Sequence, residues 1–344
     1  MSQAVPFTST DTAILHDGLR QVVTDGASPG GVLVCGTAGG ERSVLSAGVI
    51  AREIGDEVPD ERTVYDIASL TKVVAVWPLV GRARDAGLLD PEAPIRDYLP
   101  PLTGQSPSGA ATVRQLLTHT SGLRASTRLD QYRGAGLPLH ELLCREPLEG
   151  VAGVHRYINR GYILLGLALA HIHQRPLDTL ARGLWSDLGM EDIAYGPVGR
   201  SRRVAPTEAL IPGGPRIWGS AHDDNAVTLG GVAGHAGVFA PASDLAAYAE
   251  ALLDAGPDTP SGRWWRDSLT PQAEIEPGLA RGLGWILAAG GTVAYHHGFT
   301  GTSLYLAPAT GRYLVIATNA IYNGPARTRI APLRELALKT LTAT

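Results

Sequence analysis

The sequence predicts a mixed α/β fold of the α+β kind. An antiparallel sheet is built from both ends of the chain and flanked by helices, and an all-helical stretch is inserted between the two halves. Three observations predict it. Strand-like alternation occurs near the N-terminus and again towards the C-terminus. The region from about residue 80 to 225 reads as helix and loop. The chain has 344 residues, 44% of them hydrophobic, enough for one large core or two interlocked ones. On this reading residues 1–80 and 226–344 form a discontinuous sheet domain and residues 81–225 the helical insert, with an active site in the cleft between them.

Each element has its own signal. Ile14, Leu15, Leu19, Val22 and Val23 recur at helical spacing over residues 11–24, and Asp25-Gly26 stops that helix. Residues 31–36 and 42–50 read as two strands joined by a Gly-rich turn. The run SLTKVVAVWPLVGRARDAGLL reads as a helix that starts near Ser69 and kinks at Pro78. LHELLCR and NRGYILLGLALAHIHQ are the clearest helices of the insert. A helix over 243–255 follows, then strands at 282–289, 300–307 and 313–318, and a last helix over 332–341.

Composition narrows the function. Net charge is -4 with no basic cluster, which argues against nucleic acid as a partner. No stretch approaches a membrane span, and the first residues lack a secretory pattern, so a cytoplasmic location is expected. The two cysteines, Cys35 and Cys144, sit in apolar runs and are expected to be buried free thiols. Of 29 basic residues only Lys72 and Lys339 are lysines. A lysine amine can lose its proton when desolvated and a guanidinium cannot, so Lys72 stands out in an arginine-rich chain.

Lys72 belongs to Ser69-Leu70-Thr71-Lys72. On a helix, positions i and i+3 share a face, so the hydroxyl and the amine can meet. Serine needs an adjacent base to act as a nucleophile, and lysine serves once burial lowers its pKa. The same four residues also fit a helix cap followed by a solvated lysine. Tyr157-Ile158-Asn159 precedes an apolar helix; it fits a cap with a packed tyrosine, or a phenol and an amide turned towards Ser69. His296-His297-Gly298-Phe299 opens a strand on this reading. Gly298 permits close backbone approach, and the Phe299 N–H can join that of Ser69 in an oxyanion hole. A turn with two surface histidines fits the same residues.

The three motifs in this order, with TVYDIASLTK, VRQLLTHTSGL, YINRGYILLG, APTE, HDDNAVTLGGVAGHAGVF and GFTGTSLYLAP, resemble the penicillin-recognising serine hydrolases, a superfamily of class C β-lactamases, low-molecular-weight penicillin-binding proteins and related esterases. The resemblance covers residues from about 30 to 320 and implies the β-lactamase/transpeptidase fold. It makes Ser69 the acylated nucleophile, Lys72 its general base and Tyr157 the second proton-transfer group. It makes Asn159 a substrate amide contact and places His296, His297 and Gly298 beside the substrate. His297 stands where the family has a small hydroxyl residue, and His296 is expected to be mostly neutral near pH 7.5. The cleft is therefore expected to hold substrate carboxylates poorly at that pH and better as the pH falls.

The implied reaction is hydrolysis of a small-molecule ester or amide. The alternative is acyl transfer to an amine or alcohol acceptor, with β-lactamase or D-alanyl carboxypeptidase activity behind both. No cofactor is expected. A metal site at His222-Asp223-Asp224 or His171/His173 is not expected either; that loop is read as a structural lining of the cleft, and His119 as a turn residue.

Overall fold

The computed structural model describes residues 5–324 and 327–342. Helix α1 (Ser9–Thr24) starts in a capping box. The Thr8 hydroxyl accepts from the Asp11 N–H at 3.1 Å, and the Asp11 carboxylate accepts from the Thr8 N–H at 2.9 Å. The strands follow as β1 (Gly30–Thr37), β2 (Arg42–Gly48), β3 (Val64–Asp66), β4 (Ala194–Tyr195), β5 (Val238–Pro241), β6 (Ala273–Glu276), β7 (Leu279–Arg281), β8 (Ile286–Ala288), β9 (Val293–His297), β10 (Ser303–Ala307) and β11 (Arg312–Thr318). Eight of them form one antiparallel sheet in the order β2-β1-β11-β10-β9-β8-β7-β6, drawn from both chain ends as the sequence predicts. A small second sheet, β3-β5-β4, lies beside it.

The central strands are apolar on both sides because both faces of the sheet are covered. Leu33 and Cys35 of β1, Tyr305 and Ala307 of β10, and Leu314 and Ile316 of β11 pack with Leu15 and Leu19 of α1 and with Leu333 and Ala337 near the C-terminus. Val32 and Val34, Leu304 and Leu306, and Val315 and Ala317 point the other way. They join a second core that continues through Trp77, Leu116, Tyr162, Trp185 and Tyr248 into the helical region. Both cysteines are free and buried.

The remaining helices are α2 (Trp77–Asp85), α3 (Val113–Leu117), α4 (Leu139–Arg145), α5 (Asn159–His173), α6 (Leu177–Asp187), α7 (Asp224–Thr228), α8 (Ala242–Leu253), α9 (Pro260–Ser268) and α10 (Ala331–Thr342). No helix among the described residues is long and apolar enough to cross a membrane.

Three sequence expectations need correction. Ser69 does not begin an α-helix. It sits in a single 3-10 turn, Ala68–Leu70, followed by a π-turn over Lys72–Val76. Pro78 follows that π-turn in the first turn of α2 and has no N–H to give the Val74 carbonyl, which accepts from Trp185 Nε1 instead. The stretch 282–289 is interrupted by a turn in which the Gly282 N–H donates to Trp285 O at 2.9 Å, and the strand before Gly298 was not foreseen. His296 and His297 therefore close β9 rather than open β10.

Candidate active site

Ser69 is placed by a strained turn. Ala68 has φ 45, a left-handed conformation that alanine adopts at a cost of about 1–2 kcal/mol. Buried Asp66 holds it there: one carboxylate oxygen accepts from the Ala68 N–H at 2.8 Å, the other from the His222 N–H at 2.7 Å. The π-turn that follows leaves backbone carbonyls without regular helical partners. Tyr248 Oη donates to Val73 O at 2.6 Å and Trp185 Nε1 to Val74 O at 2.9 Å.

Lys72 emerges from this segment with no exposed surface. Its Nζ donates to Ser69 Oγ at 2.9 Å and to His235 O at 3.0 Å. Burial, helped by the Arg281 charge, pulls the amine below its ordinary pKa, while Tyr157 and Asp223 pull the other way.

Tyr157 ends the loop before α5, and its ring centroid lies 5.0 Å from Lys72 Nζ. Ile158, not Asn159, is the N-cap of α5. Asn159 makes no cap; it faces the cleft, with its buried Oδ1 unpartnered among the described residues. His119 backs Tyr157 at a ring distance of 4.4 Å, and its Nδ1 lies 3.1 Å from Ile158 O. His119 does occupy a turn, at φ 56, but it also fixes the tyrosine loop.

The strand alternation of β9 separates its two histidines. His296 is buried on the cleft side, its ring 6.3 Å from that of Tyr157 and its Nε2 unpartnered among the described residues. Burial first, then the charges of Arg281 and Lys72, hold its pKa well below that of an ordinary imidazole. His297 reaches the edge of the cleft, but its Nε2 pairs with Tyr305 Oη at 3.0 Å and its ring packs on Tyr295 at 4.8 Å.

Gly298 lies against the Ser69 turn. A Cβ there would stand 2.4 Å from Ile67 O, so a side chain would push the two segments apart. Thr300 Oγ1 donates to Asp66 O at 2.6 Å and Thr302 Oγ1 to Ile67 O at 3.1 Å. These bonds set the backbone of Phe299 beside that of Ser69.

All eight residues named from the sequence – Ser69, Lys72, Tyr157, Asn159, His296, His297, Gly298 and Phe299 – thus meet in one region. All except buried Lys72 line a single cleft of about 730 Å³. Three further contributors were not anticipated, one of them Arg334 of α10, which lines the cleft and donates through Nη2 to Gly298 O at 2.9 Å. Arg281 of β7 lines the same cleft, 2% exposed, with its guanidinium 5.9 Å from the Tyr157 ring. Its Nη1 donates to Gly284 O at 3.3 Å, and the groups that act on its charge are the tyrosines Tyr162, Tyr157 and Tyr295, with no carboxylate partner among the described residues. No motif surrounds it in the sequence, so only the packing reveals it. His235, inside GGVAGHAGVF, supplies the lysine's second acceptor through its backbone, which a side-chain pattern cannot show. Among the described residues no three His, Cys, Asp or Glu side chains are grouped as metal ligands.

The family model for Beta-lactamase matches residues 18–339. The chain belongs to the Beta-lactamase family. This Beta-lactamase family member is similar to a putative D-alanyl-D-alanine carboxypeptidase of Escherichia coli (strain K12), with 29% identity over 226 residues, 56% of this chain and 51% of that protein. A Salmonella typhi protein of the same description is 25% identical over 315 residues, 78% of this chain and 72% of its own length. The chain thus spans about half of the first relative and about three quarters of the second.

Among solved structures, SurE is 26% identical with a TM-score of 0.73, covering 95% of this chain and 76% of that one. A β-lactamase/D-alanine carboxypeptidase from Pseudomonas syringae is 19% identical with a TM-score of 0.77, covering 96% and 99%. EstCE1, described as a hydrolase with promiscuous acyltransferase activity, is 18% identical with a TM-score of 0.73, covering 96% and 100%. The last two show the fold, and the fold is the β-lactamase/transpeptidase one.

Proposed function

We propose that this member of a serine hydrolase family cleaves an ester or amide through an acyl-Ser69 intermediate. The observation that carries the reading is the 2.9 Å contact between Ser69 Oγ and the amine of a fully buried Lys72. In the neutral form Lys72 takes the Ser69 proton as Oγ attacks the substrate carbonyl. The N–H groups of Ser69 and Phe299 receive the developing oxyanion. Tyr157 gives its proton to the leaving group and takes the Ser69 proton from the Lys72 ammonium beside it, so both residues end the step as they began, and Asn159 accepts from the substrate amide. Water then releases the acyl group. An amine or alcohol that reaches the acyl-enzyme first turns the same intermediate into acyl transfer.

One observation favours a carboxylate-bearing substrate, the class to which D-alanyl peptides belong. Arg281 places a cation without a carboxylate partner among the described residues on the wall of the cleft. This runs against the expectation drawn from His296 and His297, because the charge comes from a strand those motifs do not include.

Intact-mass analysis after incubation with activated esters, β-lactams and a D-alanyl-D-alanine peptide tests the reading. An acyl adduct mapped to Ser69 supports it, and hydroxylamine added as acceptor separates transfer from hydrolysis. Turnover with the adduct on another residue, or turnover that survives loss of the Ser69 hydroxyl, would sink it.

A further inference from the structure

The stretch HDDNAVTLGGVAGHAGVF, residues 222–239, takes no part in the proton transfers above, yet it ends against Lys72. To accept the Ser69 proton, a neutral amine must aim its lone pair at Oγ and direct an N–H elsewhere. The His235 carbonyl, 3.0 Å from Nζ, gives that N–H its place. The His235 ring is in turn anchored: its Nε2 lies 2.7 Å from Asp223 Oδ1, with the imidazole 1% exposed. Asp223 is itself fixed as the N-cap of α7, accepting from the Ala226 N–H at 2.9 Å.

The backbone around His235 leaves little room to shift. A Cβ on Gly234 would lie 1.9 Å from Tyr162 O. Gly237 sits at φ +110, where a Cβ would meet Gly231 O at 2.1 Å.

We propose that Asp223 and His235 are positioning residues for Lys72: Asp223, through the His235 ring, fixes the carbonyl that aims the lysine amine at Ser69. The inference rests on the reading of Lys72 as the general base. It also has an electrostatic side. Burial keeps the His235 pKa below the ordinary imidazole value despite its bond to Asp223, so the ring acts as a neutral N–H donor and the pair keeps its negative charge. Burial works against that charge, but the His235 bond, the Ala226 N–H and Lys72 hold the Asp223 carboxyl at about 2. The other titratable groups around Lys72 are Tyr157 and Tyr162, whose rings lie 5.0 and 5.7 Å from Nζ, together with Arg281, His119 and His296. Asp223 is the carboxylate that favours the protonated lysine.

The test compares Asp223→Asn, His235→Ala, His235→Gln and Lys72→Arg on a neutral activated ester. Asparagine keeps an oxygen for the His235 and Ala226 N–H groups and removes only the charge. Lys72 then becomes neutral at lower pH, and the acid limb of kcat/KM moves down by roughly one pH unit. His235→Ala lowers the single-turnover acylation rate roughly ten- to a hundredfold with KM little changed, and glutamine, which can still donate to Asp223, restores part of it. Acylation at the wild-type rate in folded His235→Ala, with folding checked by Tm, overturns the proposal; an acid limb unmoved in Asp223→Asn, which keeps the bond to His235, overturns its electrostatic side. Lys72→Arg separates the two readings. If it stays active, the base assignment itself fails; if it is inactive while the other variants behave as wild type, only the positioning role fails.

Discussion

Thr300 Oγ1 donates to the carbonyl of Asp66 at 2.6 Å, tying the turn that carries Phe299 to the turn that carries Ser69. Two backbone N–H groups from distant parts of the chain can serve one oxyanion only if their separation is held to a few tenths of an ångström. Thr302, bonded to Ile67 O, is the second tie. Thr300→Val keeps the shape and removes the donor. The expected result is a kcat lowered roughly ten- to a hundredfold with a smaller change in KM. Equal kcat in the variant and the parent enzyme would mean that the threonine only stabilises the fold, which Tm measured alongside would show.

Ser69→Ala is expected to abolish turnover and labelling by serine-directed phosphonates. The residue has no structural partner whose loss would unfold the turn: its Oγ accepts from Lys72, and Asp66 holds the backbone. Labelling that persists in this variant points to a different nucleophile.

Lys72→Arg is expected to be nearly as damaging as Lys72→Ala, with kcat down roughly a hundredfold or more, because a guanidinium does not give up its proton near neutral pH. Activity requires the neutral amine, so it is lost as pH falls through the lysine pKa. Burial lowers that pKa from the ordinary lysine value, and the acid limb of kcat/KM therefore lies below about 10.4. A kcat for Lys72→Arg close to that of the parent enzyme would reassign the base, with Tyr157 the first alternative.

The selectivity for carboxylates is expected to be flat with pH. Burial, then Arg281 and Lys72, hold His296 well below the ordinary imidazole pKa, so it gains little charge as pH falls from about 8 to 5.5; burial lowers the Arg281 pKa too, but a guanidinium keeps its proton over that range. The ratio of kcat/KM for a carboxylate substrate to that for a neutral one should hold constant over that range. The rise expected from the sequence assumed an unperturbed histidine. Arg281→Met should lower the ratio roughly ten- to a hundredfold, in line with loss of a hydrogen bond to a charged group, while sparing neutral esters. A ratio that climbs on acidification would return the carboxylate to His296, and one unchanged in Arg281→Met would move it to Arg334, the second arginine of the cleft, or out of the site.

The sequence by itself indicated strands near both ends, a helical middle and, through its resemblance to a known family, a common site for Ser69, Lys72, Tyr157 and the His296–Phe299 segment. The elements were legible where they depend on local pattern, alternation for strands and helical spacing for α1 and α5; each short motif alone fitted a cap or a turn as well. The tertiary structure alone decided what reaches those residues from elsewhere in the chain. Asp66 pays for the strained φ of Ala68, and side chains from α6 and α8 satisfy the π-turn that starts at Lys72, so the expected α-helix start at Ser69 gives way to a 3-10 turn and a π-turn. The strand pleat turned His296 into the cleft and His297 towards Tyr305. Arg281 entered the cleft from β7, and the His235 carbonyl met Lys72 across 163 positions of sequence. Burial and long-range charge set the pKa values of such groups. Both arise only when distant segments pack together, so no local pattern carries them.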